Sequence, residues 1–521
     1  MRKLLAVVPW CVWAVIVAGV ASGGAVAGEV VFQADFHEPA GRALWQPAED
    51  VHVHTAAGPG GAAALVVEQP KTEGPGSPNV EAVLPLEKIR GTRVLVEARV
   101  EAQDVAKPPQ PYNGVKVMLH SESPGGPDWT QQDNVYGTFD WKRICFTTVV
   151  PSDASDARLV LGLEATTGRA GFADVRVSVI GRRRKPPAAP AATGDKRYEP
   201  RFRGTMIDTQ ISADDLRALG AWKANHVRWQ LTWDGFPRSP ADKGDRAAYD
   251  AWLTAALAHL DRLLPLCREL GLRVVVDLHT PPGGRTESSE CRLFREKRFQ
   301  DALLAVWEKI ARRYRDNPAV WGYDLLNEPV EGEVSAGLRD WHSLCEETAR
   351  RVRAIDPARA IIVEPAPWAS PSALDWFEPI RVPGVVYSVH MYEPMAFTHQ
   401  GVYGAATGVA YPGQIGDRLW NRAELARVLK PVVEFQRDYG ARIYIGEFSA
   451  IRWAPGGSAC NYLRDAIELF EEQGWDWAYH AFREWDGWSV EHGPDPQDHR
   501  PTAAPGDRQR LLRAWFEKNV R

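Results

Sequence analysis

The stretch Trp321-Gly-Tyr-Asp-Leu-Leu-Asn327-Glu328-Pro329 is a largely apolar run that ends on an amide, a carboxylate and a proline. A short apolar run of this kind predicts a buried β-strand and places the polar residues at its carboxyl end. In a barrel of parallel strands the carboxyl ends meet on one rim, where catalytic residues are found. Glu328 is therefore a candidate functional residue if the surrounding sequence alternates between strands and helices.

Residues 200–521 carry that alternation, since apolar strand candidates are separated by amphipathic helical segments. This order predicts a parallel sheet, and eight such units over about 320 residues fit a (β/α)8 barrel. A doubly wound open sheet would show a glycine-rich phosphate turn after its first strand, and Phe202-Arg-Gly-Thr-Met-Ile-Asp is not one. The predicted strands are 202–207, 226–231, 273–278, 320–326, 360–364, 385–390, 442–446 and 477–482, and the predicted helices include 249–270, 295–314, 336–355, 422–439 and 462–472.

A second glutamate ends another predicted strand, in Tyr444-Ile-Gly-Glu447-Phe. It lies 119 residues after Glu328, or three strand–helix units, so the two carboxylates are expected to face each other across the rim. Hydrolysis of a glycoside needs such a pair, because one carboxyl group must protonate the departing oxygen while the other attacks the anomeric carbon or activates water. A single strand-end glutamate would equally fit a salt bridge or a helix cap.

The motifs Trp321–Pro329 and Tyr444–Phe448 together resemble glycoside hydrolase family 5, and the resemblance extends over roughly residues 200 to 517. It implies a retaining β-glycosidase with Glu328 as acid/base and Glu447 as nucleophile, which would form a covalent glycosyl-enzyme. These roles require two different environments, because Glu328 must carry a proton while Glu447 must be ionised.

Five further residues on or directly after the predicted strands match the family one by one, and the resemblance implies that they bind substrate or support the transition state. Asn327 would hydrogen-bond the sugar 2-hydroxyl, a contact that strengthens as the oxocarbenium-like transition state forms. Tyr392 would hydrogen-bond the nucleophile, and Arg228 would keep that carboxylate ionised if it reaches across the rim. Asp277 and Glu364 also lie on barrel strands and are interpreted as supporting hydrogen-bond partners. The five are Arg228, His279, Asn327, His390 and Tyr392.

The eighth predicted strand departs from the family, which usually ends it with a tryptophan beneath the sugar of the −1 subsite. The nearest alignments of this chain place His480 or Phe482 there. Trp485 and Trp488 follow in the next loop. We expect Trp485 to supply the floor of the subsite, because an indole face suits the C–H face of a sugar.

Residues 28–181 contain short alternating strands broken by glycine and proline, without a long helical pattern. This pattern predicts an antiparallel β-sandwich. The segments Ala34-Asp35-Phe36, Phe139-Asp-Trp141 and Gly171-Phe-Ala-Asp174 resemble carbohydrate-binding modules of the jelly-roll type. Related domains often hold a structural calcium, so the resemblance makes Asp35 and Asp174 ligand candidates.

The composition is that of a folded protein with an excess of tryptophan. The chain has 21 tryptophans in 521 residues, and indole rings stack on sugars. Trp129, Tyr112 and Tyr136 are candidates for a sugar platform in the sandwich, with buried core aromatics as the alternative. The formal net charge of −5 gives no reason to expect nucleic acid or an anionic membrane as a partner. We expect a monomer whose partner is a β-linked polysaccharide or oligosaccharide.

The cysteine pattern indicates neither a disulfide framework nor a zinc site. Five cysteines follow residue 27, an odd and sparse set, and no Cys-x-x-Cys or Cys/His spacing occurs. Cys267 and Cys345 fall in helical segments, where buried free thiols are expected. We expect no cofactor and no metal in the catalytic site.

The amino terminus indicates an exported protein. Arg2 and Lys3 precede an apolar stretch from Leu4 to about Val20 and the triplet Ala25-Val-Ala27, which predicts a secretory signal peptide over residues 1–27. A retained anchor is the alternative, since the apolar run is near the shorter end of spanning length. A proline-rich linker is predicted over 182–199. We expect an extracellular or periplasmic protein without stable membrane insertion after cleavage.

Several functions remain open at this level. A retaining endo-acting enzyme on β-1,4-glucan of the cellulose type is favoured, with an exo-acting β-glycosidase or a β-mannanase as alternatives. The loop over 393–419 is long enough to close a cleft. A metal-dependent amidohydrolase would need His-x-His on the first barrel strand, whereas His52-Val-His54 lies in the sandwich. A non-catalytic glycan-binding barrel would lack a carboxylate, and both glutamates are present.

Overall fold

The computed structural model describes residues 29–519 with gaps at 35, 38, 48–51, 125, 186, 188–200, 234–243, 287–288, 333, 336, 403–404 and 417. The described residues divide into two compact units, one ending at Arg183 and the other beginning at Arg184. The predicted signal peptide over 1–27 and most of the predicted linker over 182–199 lie outside the described residues, so both stay predictions. Within the described ranges, no helix has both the length and the apolar character that a membrane span needs.

The first unit contains two antiparallel sheets whose side chains alternate between a shared core and solvent. Along Thr92–Val105, for example, Val94, Val96 and Ala98 are buried while Arg99 is exposed. That period of two is what a half-buried strand requires, and the predicted sandwich is confirmed. The strands are β1 (Glu29–Ala34), β2 (Trp45–Gln46), β3 (Val53–Ala57), β4 (Ala63–Gln69), β5 (Asn79–Val83), β6 (Thr92–Val105), β7 (Gly114–Ser123), β8 (Gly126–Gln131), β9 (Gly137–Val150), β10 (Asp156–Glu164) and β11 (Gly168–Arg182), with short helices α1 (Pro39–Arg42) and α2 (Leu86–Ile89). One sheet has the order β3-β4-β11-β6-β9, with β1 also paired to β11, and the other has the order β2-β5-β10-β7-β8.

Three aromatic side chains of the first unit are exposed, namely Tyr112 (53%), Trp129 (55%) and Tyr136 (36%). The alternative that they belong to the core is therefore wrong. The calcium ligands stay a prediction, because Asp35 lies outside the described residues. Asp174 is an exposed side chain 3.9 Å from the guanidinium of Arg99.

The second unit is built on a closed barrel of eight parallel strands, as predicted. The first strand pairs with both the second and the last, which closes the sheet. The barrel strands are β12 (Arg203–Ile207), β13 (His226–Gln230), β14 (Arg273–Asp277), β15 (Val320–Asp324), β16 (Ala360–Val363), β17 (Val385–Met391), β20 (Arg442–Phe448) and β21 (Asp476–Tyr479), and a hairpin is formed by β18 (Gly413–Ile415) and β19 (Arg418–Trp420). The helices are α3 (Ala213–Ala221), α4 (Arg246–Glu269), α5 (Lys297–Tyr314), α6 (Trp341–Ile355), α7 (Met395–Thr398), α8 (Arg422–Val428), α9 (Lys430–Tyr439), α10 (Ser458–Glu472) and α11 (Asp507–Phe516).

Several predicted bounds in the barrel are wrong; the helix predicted over 336–355, for example, begins at Trp341. The helix predicted over 422–439 is two helices that meet at Leu429. Pro431 explains the break, since proline lacks an N–H donor and is favoured in the first turn of a helix, where that donor would have no partner. The eighth strand ends at Tyr479, three residues before the predicted end, so the residues from His480 onward belong to the loop.

Side chains that point into the barrel form an apolar layer, and polar side chains lie beyond it. Val275 and Ile362 belong to that layer. Because side chains along a strand alternate, the residues two positions further on, Asp277 and Glu364, also face inwards but nearer the carboxyl ends of the strands. Both are fully buried. The barrel interior therefore ends in charged groups at the rim where the strand-end motifs meet.

Candidate active site

Arg228 lies in β13 with no exposed surface and contacts four carboxylates. Its Nε donates to Asp324 at 2.9 Å, its Nη1 to Glu447 at 2.7 Å and its Nη2 to Glu364 at 2.8 Å. Asp277 lies 3.2 Å from the same Nη2. A guanidinium suits this place because its planar fork offers five N–H donors in fixed directions. Arg228 thereby ties together acidic residues from four other barrel strands or strand ends.

A single guanidinium does not balance four buried carboxylates, so further protons or cations must lie beside them. Burial and the neighbouring Glu364 carboxylate raise the pKa of Asp324 well above its ordinary value, which assigns a proton to Asp324. Burial also disfavours charge on Glu447, yet His390 and His480 hold the pKa of that carboxyl well below its ordinary value. Glu447 is therefore ionised in a site largely shielded from water.

Both carboxylate oxygens of Glu447 are hydrogen-bonded. Oε1 accepts the bond from the guanidinium, and Oε2 accepts a bond from the Tyr392 hydroxyl at 2.8 Å. Strand β20 comes this close to β17 because residue 446 is glycine. A Cβ at Gly446 would lie 2.5 Å from Oγ of Ser388 and 3.2 Å from Nε2 of His390. The close packing of β20 against β17 therefore requires a glycine before Glu447.

Glu328 follows β15 and is more accessible than Glu447, with 25% of its side chain exposed against 5%. Its backbone adopts a left-handed conformation, with φ of 45°, which other groups must hold in place. The N–H of Glu328 donates to Oε2 of Glu364 at 2.7 Å, and its carbonyl accepts from Arg285 at 2.8 Å. The carboxylate itself receives one side-chain hydrogen bond, from Nδ1 of His390 at 2.9 Å. Among the described residues the second carboxylate oxygen receives no hydrogen bond, which leaves it for a ligand.

His390 lies between three glutamates and is an imidazolium. Its Nδ1 donates to Glu328 at 2.9 Å and its Nε2 to Glu364 at 3.1 Å. Burial opposes the charge, but Glu364 and Glu447 raise the pKa of His390 well above its ordinary value. His390, Glu328 and Glu447 each place a ligand atom within 4.8 Å of the others, which is close enough for a metal site. A metal bound there would have to displace a proton from His390, because metal ligands bind in their deprotonated form.

Asn327 and His279 present further polar groups at the rim. Oδ1 of Asn327 accepts from Nη2 of Arg228 at 3.0 Å, and its amide nitrogen has no hydrogen-bond partner among the described residues. Nδ1 of His279 lies 2.9 Å from Oδ2 of Asp277, and 16% of the ring is exposed. The carboxylate orients this ring and leaves its other nitrogen for a ligand.

Comparison with known families identifies the family of the chain that carries this rim. The family model described as cellulase (glycosyl hydrolase family 5) matches residues 195–486. The chain belongs to glycosyl hydrolase family 5. A family 5 member is an O-glycosyl hydrolase, so the predicted enzyme class is confirmed and the amidohydrolase alternative is wrong. Arg203–Ile207, the first barrel strand, accordingly carries no histidine.

The relatives of this family 5 chain include named enzymes. Endoglucanase C of Acetivibrio thermocellus is 27% identical over 297 residues, which are 52% of this chain and 83% of that protein. Cellodextrinase A of Ruminococcus flavefaciens is 24% identical over 276 residues, which are 51% of this chain and 77% of that protein. A crystal structure described as a glycoside hydrolase aligns with a TM-score of 0.50 at 23% identity, over 62% of this chain and 100% of that one. This structural likeness shows the barrel fold.

His480 stands where the family 5 resemblance implies a tryptophan, directly after β21. Its Nδ1 contacts the hydroxyl of Tyr392 and lies 3.3 Å from Oε2 of Glu447. Its Nε2 lies 3.0 Å from Oε2 of Glu484. The sequence offered His480 as an alignment only, whereas the structure places it in contact with the glutamate of the seventh strand.

Trp485, the predicted floor of the −1 subsite, packs against two other tryptophans. Its ring contacts are with Trp453 and Trp488, at centroid distances of 6.0 and 5.5 Å. Trp488 is the indole that packs beside Tyr392 and His480, at 6.2 and 5.9 Å, but only 7% of it is exposed. The role of Trp485 as a sugar floor stays a prediction.

The hydrogen-bonded cluster around Arg228 and Glu447 contains seven of the eight predicted site residues, Trp485 being the exception. The sequence analysis missed Asp324 and Glu484. Asp324 had a signal, since a charged residue inside an apolar strand must find a partner when it is buried. Glu484 had none, because it lies in a loop whose path the sequence does not specify.

Proposed function

We propose that the chain is a retaining β-glycoside hydrolase in which Glu447 is the nucleophile and Glu328 the acid/base. The observation that carries this proposal is the contrast between two neighbouring carboxyl groups. The Glu447 side chain is 5% exposed and hydrogen-bonded through both oxygens, whereas the Glu328 side chain is partly exposed and accepts one side-chain hydrogen bond from the described residues. Placing two carboxyl groups in unlike environments is how glycosidases separate the two roles.

The spacing of the two groups supports retention of configuration. A carboxylate oxygen of Glu328 lies within 4.8 Å of one of Glu447. Retaining enzymes hold their two carboxyl groups about 5–5.5 Å apart, whereas inverting enzymes need about 6.5–9.5 Å to admit a water molecule between the base and the sugar. We therefore propose double displacement rather than direct attack by water.

In the first step a carboxylate oxygen of Glu447 forms a bond to the anomeric carbon while the glycosidic bond breaks. The electron pair goes to the departing oxygen, which takes the proton of Glu328. In the second step Glu328 accepts a proton from water as the water oxygen bonds to the same carbon, and the ester electron pair returns to Glu447. Arg228, donating at 2.7 Å, stabilises the carboxylate before and after the cycle.

Binding of the reacting sugar is assigned to the polar groups that face the rim. The side-chain nitrogen of Asn327 would donate to the sugar 2-hydroxyl, because its oxygen is already held by Arg228. His279 would offer its second nitrogen to another hydroxyl. No metal is needed in this scheme, since His390 donates from both nitrogens and Arg228 supplies the fixed positive charge.

The proposed substrate is a β-1,4-linked glucan of the cellulose type. The relatives named Endoglucanase C and Cellodextrinase A support a glucan. Exo action and β-mannan stay alternatives, since the loop over 393–419, which contains the strand Gly413–Ile415, follows a barrel strand and is long enough to close a cleft. Incubation with β-glucans, β-mannans and xylans, followed by measurement of product length, separates these alternatives.

We also propose that the first unit binds glycan and that the protein is exported. Trp129 presents an exposed ring that stacks on His120 at a centroid distance of 3.6 Å, so the ring is held flat against a support. A flat, supported indole is the surface that sugars stack on. The apolar stretch from Leu4 to about Val20 supports secretion.

The stereochemistry of the first product tests the proposed reaction. Proton magnetic resonance recorded during hydrolysis of a β-1,4-oligoglucoside should show the β anomer first, and the α anomer should appear only by slow mutarotation. Initial release of the α anomer would contradict double displacement.

A further inference from the structure

The imidazole of His480 is surrounded by acceptors, and this fixes its protonation. Tyr392 uses its single hydroxyl hydrogen to bond Oε2 of Glu447 at 2.8 Å. Nδ1 of His480, which contacts the same hydroxyl oxygen, must therefore carry a hydrogen of its own. Nε2 lies 3.0 Å from the carboxylate of Glu484 and must carry another. With the Tyr392 hydrogen on Glu447, His480 carries a hydrogen on each ring nitrogen and is an imidazolium.

The surroundings favour that charge. Only 14% of the His480 side chain is exposed, so its interactions are weakly screened. Burial by itself would lower the pKa of His480, but Glu484 and Glu447 raise it to about 10. Glu484 is ionised in turn, since His480 lowers its pKa against the effect of burial. The three side chains thus form a row of alternating charge that ends on Glu447.

We propose that His480, held by Glu484, is a positioning residue that sets the relative rates of the two steps at Glu447. The proposal rests on the double displacement proposed above. Glu447 carries a full negative charge in the free enzyme and none in the glycosyl-enzyme. A cation 3.3 Å from its Oε2 stabilises the free carboxylate, so it resists the loss of charge in the first step and favours its return in the second.

A tryptophan at this position could stack on a sugar but could not supply this charge. In this chain the contact beside the nucleophile is therefore electrostatic rather than apolar. The positive charge of His480 favours rapid release of the sugar from the enzyme, because it stabilises the Glu447 carboxylate that forms in the second step. Arg228 bonds Oε1 and His480 approaches Oε2, so the two oxygens have separate counter-charges.

The test is the pre-steady-state kinetics of 2,4-dinitrophenyl β-cellobioside, whose good leaving group makes the first step fast. We expect His480→Gln to slow the second step about tenfold while leaving kcat/KM within about threefold of the unaltered enzyme. The values of kcat and KM should fall together, and a burst approaching one equivalent of dinitrophenolate per enzyme should appear. Mass spectrometry of the acid-quenched variant should show the cellobiosyl-enzyme.

Two further variants make the result decisive. Glu484→Gln removes the partner of His480 at a side chain that is 27% exposed, and it should enlarge the burst in the same direction even if His480→Gln folds poorly. His399→Gln is the matched control, because burial lowers the pKa of His399 to about 4 and this ring carries no charge. This control substitution should leave the ratio between the rates of the two steps unchanged.

The outcomes separate this inference from the function it rests on. If Glu447→Gln is inactive while both His480→Gln and Glu484→Gln lose kcat/KM as much as kcat and show no burst, His480 has only a structural role and the inference is overturned. If Glu447→Gln turns over the substrate normally, the proposed function itself fails.

Discussion

Nη1 of Arg228 donates to Oε1 of Glu447 at 2.7 Å, which joins the second barrel strand to the seventh. The guanidinium is fully buried and cannot lose its proton. It therefore supplies a permanent counter-charge to the proposed nucleophile, and it also binds three other acidic side chains. Arg228 therefore contributes both to the stability of the fold and to the proposed catalysis, and substitutions of Arg228 and its partners distinguish these two contributions.

Replacing Glu447 by glutamine should abolish turnover without unfolding the protein. An amide of the same shape has no negative charge with which to attack the anomeric carbon, so kcat on an activated aryl β-glycoside should fall by about ten thousandfold or more. The thermal midpoint, read by circular dichroism, serves as the control for folding. Retained turnover in a folded variant would remove Glu447 from its role.

Glu328→Ala should affect substrates according to their leaving groups. The acid is needed to protonate a poor leaving group, whereas dinitrophenolate departs without help. We expect kcat/KM to fall about a hundredfold or more for an unactivated oligoglucoside and far less for the dinitrophenyl glycoside. Equal losses on both substrates would argue against proton donation by Glu328.

Asp324→Asn should cost little stability although the side chain is fully buried. Asp324 carries a proton, and an amide oxygen can still accept from Nε of Arg228. We expect the free energy of unfolding in urea to change by less than about 1 kcal/mol.

Glu364→Gln is the matched comparison for Asp324→Asn. Glu364 is ionised, since His390 and Arg228 lower its pKa against the effect of burial. Removing this charge should lower the free energy of unfolding by about 2–4 kcal/mol. A larger cost for Asp324→Asn would show that the proton had been assigned to the wrong residue.

Arg228→Met should destabilise the fold through the charges that it leaves behind. The substitution keeps an apolar stem but removes the only guanidinium that faces Asp277, Glu364 and Glu447 among the described residues. Breaking a buried ion pair in this way costs about 3–5 kcal/mol. Arg351→Met, at an arginine with 44% of its side chain exposed, should cost less than about 1 kcal/mol.

Stability should fall with rising pH through the titration of His480. Its pKa is raised from 6.5 to about 10 in the folded chain, so the stabilisation is fully present below pH 6.5 and is lost as pH rises through about 10. Between these values only the folded chain holds the proton, and the free energy of unfolding falls by up to about 1.4 kcal/mol per pH unit.

Urea unfolding at several pH values compares the unaltered chain with His480→Gln. The variant should show a shallower decline between pH 7 and 10, because its residue 480 does not titrate. His226 and His399, whose pKa values burial lowers to about 3 and about 4, do not contribute in this window. Parallel curves for the two proteins would contradict the charge assigned to His480.

Much of this rim followed from local pattern. The period of two along each strand places Asp277 and Glu364 inside the barrel, and the closing positions of β15 and β20 place Glu328 and Glu447 on one face. Such features depend on neighbouring residues and on the parallel order of strands, so a single sequence carries them. Pro431 in the sequence indicates a helix break after Leu429. The apolar pattern continues across this position, however, and it led to the prediction of one helix.

The charges and partners depended on distances across the barrel. That Asp324 holds a proton follows from its packing between Arg228 and Glu364, which are 96 residues before it and 40 after it in the chain. His480 took its place only through the path of the loop after β21, where Glu484 and Tyr392 meet its two nitrogens. A pKa is set by burial and by charges within a few ångströms, and these are properties of the folded chain rather than of any segment of it.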